Sequence, residues 1–195
     1  MSTERVGIDQ IVLSPLSAED WPGVARVYEA GIAGGNATFE SRAPSWQQWS
    51  ATRGGYPAVV ARDVRADVGA DGDEEADVAS DGGAEGAVCG WAALSPTSTR
   101  AVYRGVGEVS VYVDPAYARR GIGRALLGAL IAASEHDAFW TLRAGIFPEN
   151  AASIALHESC GFELIGVSRR IGQMPDGRWR DVVHYERRSP SVGQD

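Results

Sequence analysis

The sequence predicts an α/β fold in which helices cover both faces of a mixed β-sheet. Strand-like apolar runs alternate along the chain with segments whose apolar residues recur at helical spacing. The predicted order is β-α-α-β-β-β-α-β-α-β-β, which combines directly connected strands with strands separated by a helix. Because the chain has 195 residues, of which 44% are hydrophobic and 23% charged, we expect one domain, residues 1–195, with a sizeable core.

The first half of the chain contains two predicted strands and two predicted helices. A helix is expected over Ala18–Ala33, because Ser17 and Asp20 have nearly the pattern of a capping box and the apolar residues that follow have helical spacing. The other predicted elements are a strand at 10–14, a short helix within 44–53 and a strand at 56–62.

An acidic segment rich in Gly, Asp and Ala follows at 63–86. Residues 63–85 hold nine acidic residues and one arginine, which equals the whole net charge of −8, so the remainder of the chain sums to zero. The segment has almost no large apolar side chains with which to offset the entropy lost on ordering. We therefore interpret it as a solvated loop, inserted into a hairpin between two strands.

The second half of the chain contains the remaining predicted strands and helices. They are a strand at 87–94, a strand at 106–113, a helix from Gly121 to about Glu135, a strand at 140–146, a helix within 150–161, and strands at 162–172 and 179–187. The last two strands are joined through a Pro-Asp-Gly turn.

Composition excludes several classes of protein. A neutral body with an acidic segment offers no basic surface for nucleic acid. No apolar run approaches the length of a membrane span, and the N-terminus lacks a signal-peptide pattern, so we expect a cytoplasmic protein without membrane contact. The cysteines Cys89 and Cys160 have neither disulfide-scaffold nor zinc-ligand spacing, so we expect small core residues and no metal site.

The segment ARRGIGRA, residues 118–125, connects a predicted strand to a predicted helix. A P-loop is excluded because the chain has no lysine, and a dinucleotide-binding turn is disfavoured because the third glycine of its G-x-G-x-x-G pattern is missing. Backbone N–H groups at a helix start, two glycines and three arginines suit a pyrophosphate. The alternative is a glycine-rich turn whose arginines are merely solvated.

The same segment, extended to ARRGIGRALL, resembles the R/Q-x-x-G-x-G/A signature of the GNAT superfamily of acetyl-CoA-dependent N-acetyltransferases. The resemblance implies a sheet splayed at an acetyl-CoA cleft, with a bulge in the strand before the turn. It also implies that the turn holds the pyrophosphate and that the strand's main chain binds the pantetheine arm. The implied coenzyme residues are Val111, Tyr112, Val113, Arg119, Arg120, Gly121, Ile122, Gly123, Arg124, Ala125, Asn150 and Ser153.

Further motifs resemble the phosphinothricin-type acetyltransferases. GNATFES, YPAVVAR, GEVSVYV, PENAASIALHESCGF and GRWRDVVHYER occur in the order found in that group, and GNATFES, GWAALSP and AGIFPENAASIALH resemble its arsinothricin-resistance branch. The resemblance implies N-acetylation of the α-amine of phosphinothricin, arsinothricin or methionine sulfoximine, and a homodimer. One alternative keeps the acetyl transfer but has another small amine or a protein N-terminus as the acceptor. The other alternative is a non-catalytic acyl-CoA-binding module.

Two residues are candidates for proton transfer. An ammonium has no lone pair with which to attack a thioester, so acetyl transfer requires a base. The resemblance places Glu108 at that position, where we expect partial burial to raise its pKa; the alternative is a strand glutamate that faces solvent or pairs with arginine. His157 is placed near the acetyl group, although a helix histidine is often structural.

The remaining candidates belong to the coenzyme arm and the acceptor. Asn150 either caps the helix at 151 or contacts the arm with Ser153, and both uses are compatible. The resemblance implies an acceptor pocket made by Phe39, Arg100, Tyr103 and Tyr112, in which Arg100 binds an anion; the alternatives are core, turn or solvated residues. Ser98 stands where a phosphinothricin acetyltransferase can carry lysine, which leaves the preferred anion open.

Overall fold

The structure is a computed structural model, and it describes residues 4–6, 10–65 and 86–194. Its strands are β1 (Glu4–Val6), β2 (Ile11–Pro15), β3 (Ala58–Asp63), β4 (Ala87–Pro96), β5 (Val106–Val113), β6 (Thr141–Ile146), β7 (Glu163–Gln173) and β8 (Trp179–Arg188). Its helices are α1 (Trp21–Ala33), α2 (Trp46–Arg53), α3 (Ile122–His136) and α4 (Ala151–Ser159).

The described strands form one mixed sheet in the order β1-β2-β3-β4-β5-β6-β8-β7. Strands β5 and β6 run parallel, and the other neighbours in this described sheet pair antiparallel. The predicted mixed sheet is therefore confirmed. The short strand β1 was not predicted, because three residues are too few to show the alternation that marks a strand.

The start of the first helix differs from the prediction. Residues Ala18–Asp20 form a turn of 3₁₀ helix, and α1 begins at Trp21. Pro22 has no N–H to donate to the carbonyl group four residues earlier, which explains why the α-helical pattern starts late. The predicted capping interaction is confirmed, since the Ser17 backbone N–H donates to the Asp20 carboxylate at 2.8 Å.

Helices cover both faces of the sheet, as predicted, but the two faces differ in composition. The aliphatic face lies under α3 and α4, where Leu126, Leu127 and Leu130 are fully buried. The aromatic face lies under α1 and α2 and buries Val24, Val27, Tyr28, Trp49 and Trp91. From Gly90 to Leu94, neighbouring residues of β4 alternate between the faces, because successive side chains of a strand point in opposite directions. Cys89 and Gly90 both lie on the aliphatic face, at the register shift between β3 and β4.

The acidic segment connects two paired strands. Asp63 at the end of β3 pairs with Ala87 at the start of β4, so the predicted hairpin connection is confirmed. Most of the segment, residues 66–85, lies outside the described residues.

The cysteines are free thiols in the described structure. Cys89 is fully buried on the aliphatic face, where burial raises the pKa of its thiol to about 12. Cys160 is partly buried against the same face. The predicted packing role is confirmed for both residues.

Candidate active site

The turn before α3 has the backbone geometry of an anion-binding helix start. Gly121 precedes the helix with φ +78°, and Arg119 has φ +61°, so both lie in the left-handed region. The first helical hydrogen bond joins the Ala125 N–H to the Gly121 carbonyl at 3.0 Å. Because the N–H groups of residues 122–124 precede that bond, they are the ones a helix start presents to a ligand. The buried side chain of Ile122 fixes this turn to the core.

Charge at this turn comes from exposed arginines. Arg119, Arg120 and Arg124 are all exposed, and the Arg120 guanidinium carbon lies 4.9 Å from the centre of the Tyr117 ring. Gly123 also has a packing role that the sequence did not indicate. A Cβ added there would lie 3.3 Å from Leu156 of α4, which is close for a side-chain contact.

The strands β5 and β6 separate part-way along their length, which confirms the predicted splay. They pair from Val106 with Thr141 to Glu108 with Arg143, and within the described residues no further pair joins them. Since β5 continues to Val113, its edge toward β6 is available to an extended ligand. The turn before α3 lies at the far end of the same strand.

The bulge expected in β5 is wrong. The pairing of β5 with β4 keeps one register from Gly107 with Pro96 to Val113 with Gly90. The gap therefore opens only on the side of β6. The main chain of Val111, Tyr112 and Val113 follows this gap, as expected for the arm-binding segment.

Glu108 is the last residue of β5 that pairs with β6. Val109 and Val111 lie against the aliphatic face and Tyr112 against the aromatic face, so the alternation of the strand puts Glu108 on the aromatic face. The partial burial expected for its carboxylate is wrong, because Glu108 is exposed. A Cβ added at Gly145 of β6 would lie 3.8 Å from Glu108 Oε1, so the glycine leaves space beside the carboxylate.

His157 lies in α4 and is 3% exposed. Its Nδ1 is 2.8 Å from the Ser153 carbonyl, and a carbonyl only accepts, so Nδ1 carries the proton. Burial lowers the pKa of His157, and the hydrogen bond to Ser153 opposes that effect. The buried Nε2 has no hydrogen-bond partner among the described residues, and the ring packs edge-on against Phe162 at 5.0 Å.

Asn150 caps α4, as predicted. Its side-chain oxygen accepts from the Ser153 N–H at 3.1 Å. Its side-chain nitrogen also donates to the Asn36 carbonyl at 3.0 Å, which links α4 to the loop between α1 and α2. Asn150 and Ser153 therefore lie at the helix start that the resemblance assigned to the coenzyme arm.

The residues predicted for the acceptor pocket lie in three places. Phe39 contacts Phe147 at 4.8 Å and covers Gly172 of β7, where an added Cβ would lie 2.5 Å from its ring. Tyr112 packs into the aromatic face. Arg100 and Tyr103 are exposed in the connection between β4 and β5, with the guanidinium carbon 5.5 Å from the tyrosine ring centre.

The side chain of Tyr112 is enclosed by two other aromatic rings. Its ring stacks on Trp91 at 4.7 Å and contacts Tyr28 at the same distance. Burial first, and then the neighbouring Tyr28, raise the pKa of its phenol well above the ordinary value. The side chain is therefore partly buried against the core of the aromatic face, while its main chain follows the gap.

Arg180 of β8 organises the loop between α1 and α2, and sequence reasoning missed it. Its guanidinium donates to Asn36 Oδ1 at 2.6 Å, to the Gly35 carbonyl at 3.2 Å and to Glu149 at 2.8 Å. It also lies 3.9 Å from the ring centre of Phe147, beside Phe39. No local pattern could have shown this, because Arg180 and Asn36 are 144 residues apart.

None of the described helices is long and apolar enough to cross a membrane. Within the described residues, no group of three or more His, Cys, Asp and Glu side chains could hold a metal ion.

Comparison with known proteins identifies the family. Residues 41–162 match the model of the acetyltransferase (GNAT) family. The chain belongs to this family. It is therefore an acetyltransferase with the GNAT fold, as the glycine-rich turn and the splayed strands indicate.

Three related proteins carry more specific names. The chain is 32% identical over 172 residues, 86% of its length and 88% of the relative, to an L-methionine sulfoximine/L-methionine sulfone acetyltransferase of Pseudomonas aeruginosa. It is 28% identical over 194 residues, 94% of its length and 87% of the relative, to a phosphinothricin N-acetyltransferase of Alcaligenes faecalis. A GNAT superfamily phosphinothricin acetyltransferase from Sinorhizobium meliloti, solved in complex with AcCoA, is 31% identical with a TM-score of 0.77, over 95% of this chain and 92% of that one.

Proposed function

We propose that this acetyltransferase moves an acetyl group from acetyl-CoA to the α-amine of a small amino acid of the methionine sulfoximine and phosphinothricin kind. The observation that carries the proposal is the position of Glu108. It lies where β5 and β6 separate, while the turn before α3 lies at the other end of β5. One strand thus connects a base to an anion-binding helix start.

The spacing along β5 fits acetyl-CoA. From Glu108 to Val113 the strand spans roughly 17 Å, at about 3.3 Å per residue, which is comparable to an extended pantetheine arm. The turn residues Arg119, Arg120, Gly121, Ile122, Gly123, Arg124 and Ala125 would hold the pyrophosphate through main-chain N–H groups and guanidinium groups. The main chain of Val111, Tyr112 and Val113, together with Asn150 and Ser153, would hold the arm.

In this arrangement Glu108 takes a proton from the acceptor's ammonium group, directly or through a water molecule. The freed lone pair attacks the thioester carbonyl, and the C–S bond breaks to release the thiolate of coenzyme A, which takes up a proton. Gly145 leaves the space in which an amine could approach Glu108. His157 is the second catalytic candidate. Its contact with Ser153 also lets it position the start of α4.

The acceptor's anionic groups call for cations. Arg100 and Tyr103 would form the acceptor side of the site together with Phe39 and Tyr112, which lie apart from each other, and Arg100 would bind the anionic head. Acetylation removes the positive amine that a glutamate-site enzyme recognises, so the reaction would detoxify such an amino acid.

The test is acetyl-CoA-dependent thiol release with phosphinothricin, arsinothricin, methionine sulfoximine, glutamate, spermidine and a peptide N-terminus as acceptors. We expect turnover of the anionic amino acids, and a fall in kcat of about 100-fold or more in Glu108→Gln with the KM for acetyl-CoA retained. The matched control is Glu163→Gln, an exposed strand glutamate on β7, which should keep wild-type kcat.

Other outcomes would contradict the proposal in distinct ways. Turnover of spermidine or peptide alone would retain the acetyl-CoA chemistry and refute the acceptor. Binding of acetyl-CoA without turnover of any acceptor would favour a non-catalytic module. Full kcat in Glu108→Gln would refute the assigned base, and His157→Gln in the same assay tests the second candidate.

We also propose that the enzyme is a cytoplasmic homodimer, because acetyl-CoA is an intracellular donor and β7 exposes an apolar surface. That surface consists of Leu164, Ile165, Val167, Ile171 and, from β8, Trp179, each more than half exposed. Strand β7 ends the sheet order, so a second copy can approach it. Light scattering should give a dimer mass for the wild type and a monomer mass for Ile171→Glu; a wild-type monomer would refute the proposal.

A further inference from the structure

Arg53 is a partly buried cation without an anionic partner among the described residues. It is the last residue of α2, and its guanidinium carbon lies 4.7 Å from the centre of the Trp49 ring. Its Nη1 makes only a long contact, 3.4 Å, with the neighbouring Thr52 hydroxyl, and its buried Nε has no hydrogen-bond partner among the described residues. No described carboxylate lies within ion-pair distance of it.

Three other enclosed arginines of the described chain each form an ion pair with a carboxylate. The side chains of Arg62, Arg180 and Arg187 are 6%, 11% and 17% exposed, and each pairs with a carboxylate, on Asp20, Glu149 and Glu135 respectively. Removing a guanidinium from water without giving it an anionic partner costs free energy. The contrast indicates that the partner of Arg53 is supplied from outside the described chain.

The surroundings of Arg53 connect it to the reaction site. Burial lowers the pKa of Arg53, and electrostatic interactions with Tyr28, Tyr112 and Glu108 oppose that effect. The chain after Arg53 enters β3 at Ala58, which pairs with Ala93 of β4. Ala93 in turn pairs with Ser110, which is two residues from Glu108 and therefore on the same face of β5. Glu108 is the proposed base. A molecule between Arg53 and Glu108 would meet a cation on one side and a proton acceptor on the other, which suits the carboxylate and the amine of one α-amino acid.

A cavity of about 910 Å³ also begins at Arg53. Apolar and small residues of α2, of the chain before β3 and of the C-terminal half of α3 form most of its wall, including Trp49, Tyr56, Ala129 and Ala132. The wall also includes His136 and Asp137 at the C-terminal end of α3, and Arg53 is the only arginine among the lining residues. The apolar part of the wall suits the apolar body of an acceptor whose carboxylate lies at Arg53.

We propose that Arg53 binds the α-carboxylate of the acceptor amino acid, with the amine directed to Glu108 and the apolar part of the side chain in this cavity. The inference rests on the proposed function and makes it more specific: the acceptor must carry a free α-carboxylate, and Arg53 is a specificity-determining residue in addition to the exposed Arg100.

The experiment compares an acceptor with its carboxamide, for example methionine sulfone and methionine sulfone amide, in the wild type, Arg53→Met, Arg53→Lys and Arg65→Met. Arg65 is an exposed arginine just after β3 and serves as the matched control. We expect Arg53→Met to raise the KM for the acid about 10- to 100-fold, with kcat and the KM for acetyl-CoA changed little. The KM for the amide should not change, so the preference for the acid disappears, and Arg53→Lys should recover part of it.

The same data separate the two proposals. If the wild type prefers the acid and Arg53→Met keeps that preference, the Arg53 inference is refuted and the proposed function stands. If the wild type acetylates none of the amino acids, the proposed function fails, and calorimetric titration of unreactive N-acetyl methionine sulfone decides the binding role; equal affinity in wild type and Arg53→Met, or no binding, overturns it.

A second pair of variants tests the cavity. Ala132 is exposed and lines the cavity, so Ala132→Leu should narrow it without disturbing the core, while Ala51→Leu adds the same volume on an exposed position of α2 outside the lining. We expect Ala132→Leu alone to raise the KM, and to raise it most for acceptors with the longest apolar side chains. Equal KM values in the two variants would place the side chain elsewhere.

Discussion

The two faces of the sheet differ in the kinds of side chain that they bury and in the charges that lie beside them. The aliphatic face is filled mainly by leucine, isoleucine, valine and alanine, and its proposed contribution to function lies at the start of α3, where main-chain N–H groups are presented. The aromatic face carries charged side chains within or beside its core, among them the Asp20–Arg62 pair, Arg53 and Glu108. Under the proposed function, the coenzyme side would therefore work mainly through backbone geometry and the acceptor side through side-chain chemistry.

The largest expected effect comes from removing the buried carboxylate Asp20 of the aromatic face. Asp20 is 2% exposed, and it pairs with Arg62, whose Nη1 also donates to the Ser14 hydroxyl at 2.5 Å. Asp20→Ala leaves the Arg62 cation buried without its partner, which should lower the free energy of unfolding by about 3–5 kcal/mol in urea titrations. The capping interaction at Ser17 is lost at the same time.

The control is a pair that is more exposed. Glu186 accepts from Arg143 at 3.1 Å, and the two side chains are 31% and 54% exposed, so Glu186→Ala should cost about 0–1 kcal/mol. Similar losses in Asp20→Ala and Glu186→Ala would remove the argument that buried charge distinguishes the aromatic face.

The next effect concerns backbone geometry on the coenzyme side. Gly121 and Gly161 both have positive φ, +78° and +83°, so an alanine at either position should cost about 1–2 kcal/mol of stability. Only Gly121 belongs to the proposed pyrophosphate turn. We therefore expect Gly121→Ala to raise the KM for acetyl-CoA several-fold, about 10-fold if one charge-assisted hydrogen bond is lost, and Gly161→Ala to leave it unchanged. An equal rise in both variants would attribute the effect to general strain.

A smaller effect comes from the buried histidine on the aliphatic side. Because burial lowers the pKa of His157, the unfolded chain takes up a proton at a higher pH than the folded chain. The contribution of His157 to stability is thus present above about pH 6.5 and is lost as the pH falls toward the folded pKa, by at most about 1.4 kcal/mol per pH unit. Unfolding measured from pH 7.5 to 5 should show this slope in the wild type and less of it in His157→Gln.

The exposed His136 provides the comparison. Its side chain is 86% exposed, and it lies at the end of α3, where it contacts Asp137. His136→Gln should keep the wild-type slope below pH 6.5. A slope that disappears in this variant and persists in His157→Gln would contradict the assignment to the buried ring.

Local patterns predicted the elements and the turn well, because strands and helices have fixed periods. The capping interaction of Ser17 is also local, and it is in the structure. The splay was implied by the family resemblance, and the structure confirms it. The expected bulge is missing because the gap opens on one edge of β5 only.

The side-chain environments could not be predicted, because they depend on residues that are distant in sequence. Glu108 is exposed since the strands separate beside it, and Tyr112 is enclosed since Tyr28 and Trp91 pack around it. Nothing local shows that Arg180 has partners and that Arg53 has none among the described carboxylates. The residues proposed for the acceptor side were therefore harder to predict from the sequence than those proposed for the coenzyme side.

The smallest expected effect is that of a substitution on the exposed surface of α3, where an added methyl group meets no other atom. Gly128 lies in the middle of this helix, is exposed, has an ordinary φ, and an added Cβ would meet no atom within 4 Å. Alanine restricts the unfolded chain and favours the helix, so Gly128→Ala should raise the free energy of unfolding by about 0.5–1 kcal/mol. Because Gly128 is outside the turn before α3 and outside the gap between β5 and β6, kcat and both KM values should stay at wild-type levels. A stabilised variant with an altered KM for acetyl-CoA would contradict this, because it would show that the body of α3, and not only its first turn, determines coenzyme binding.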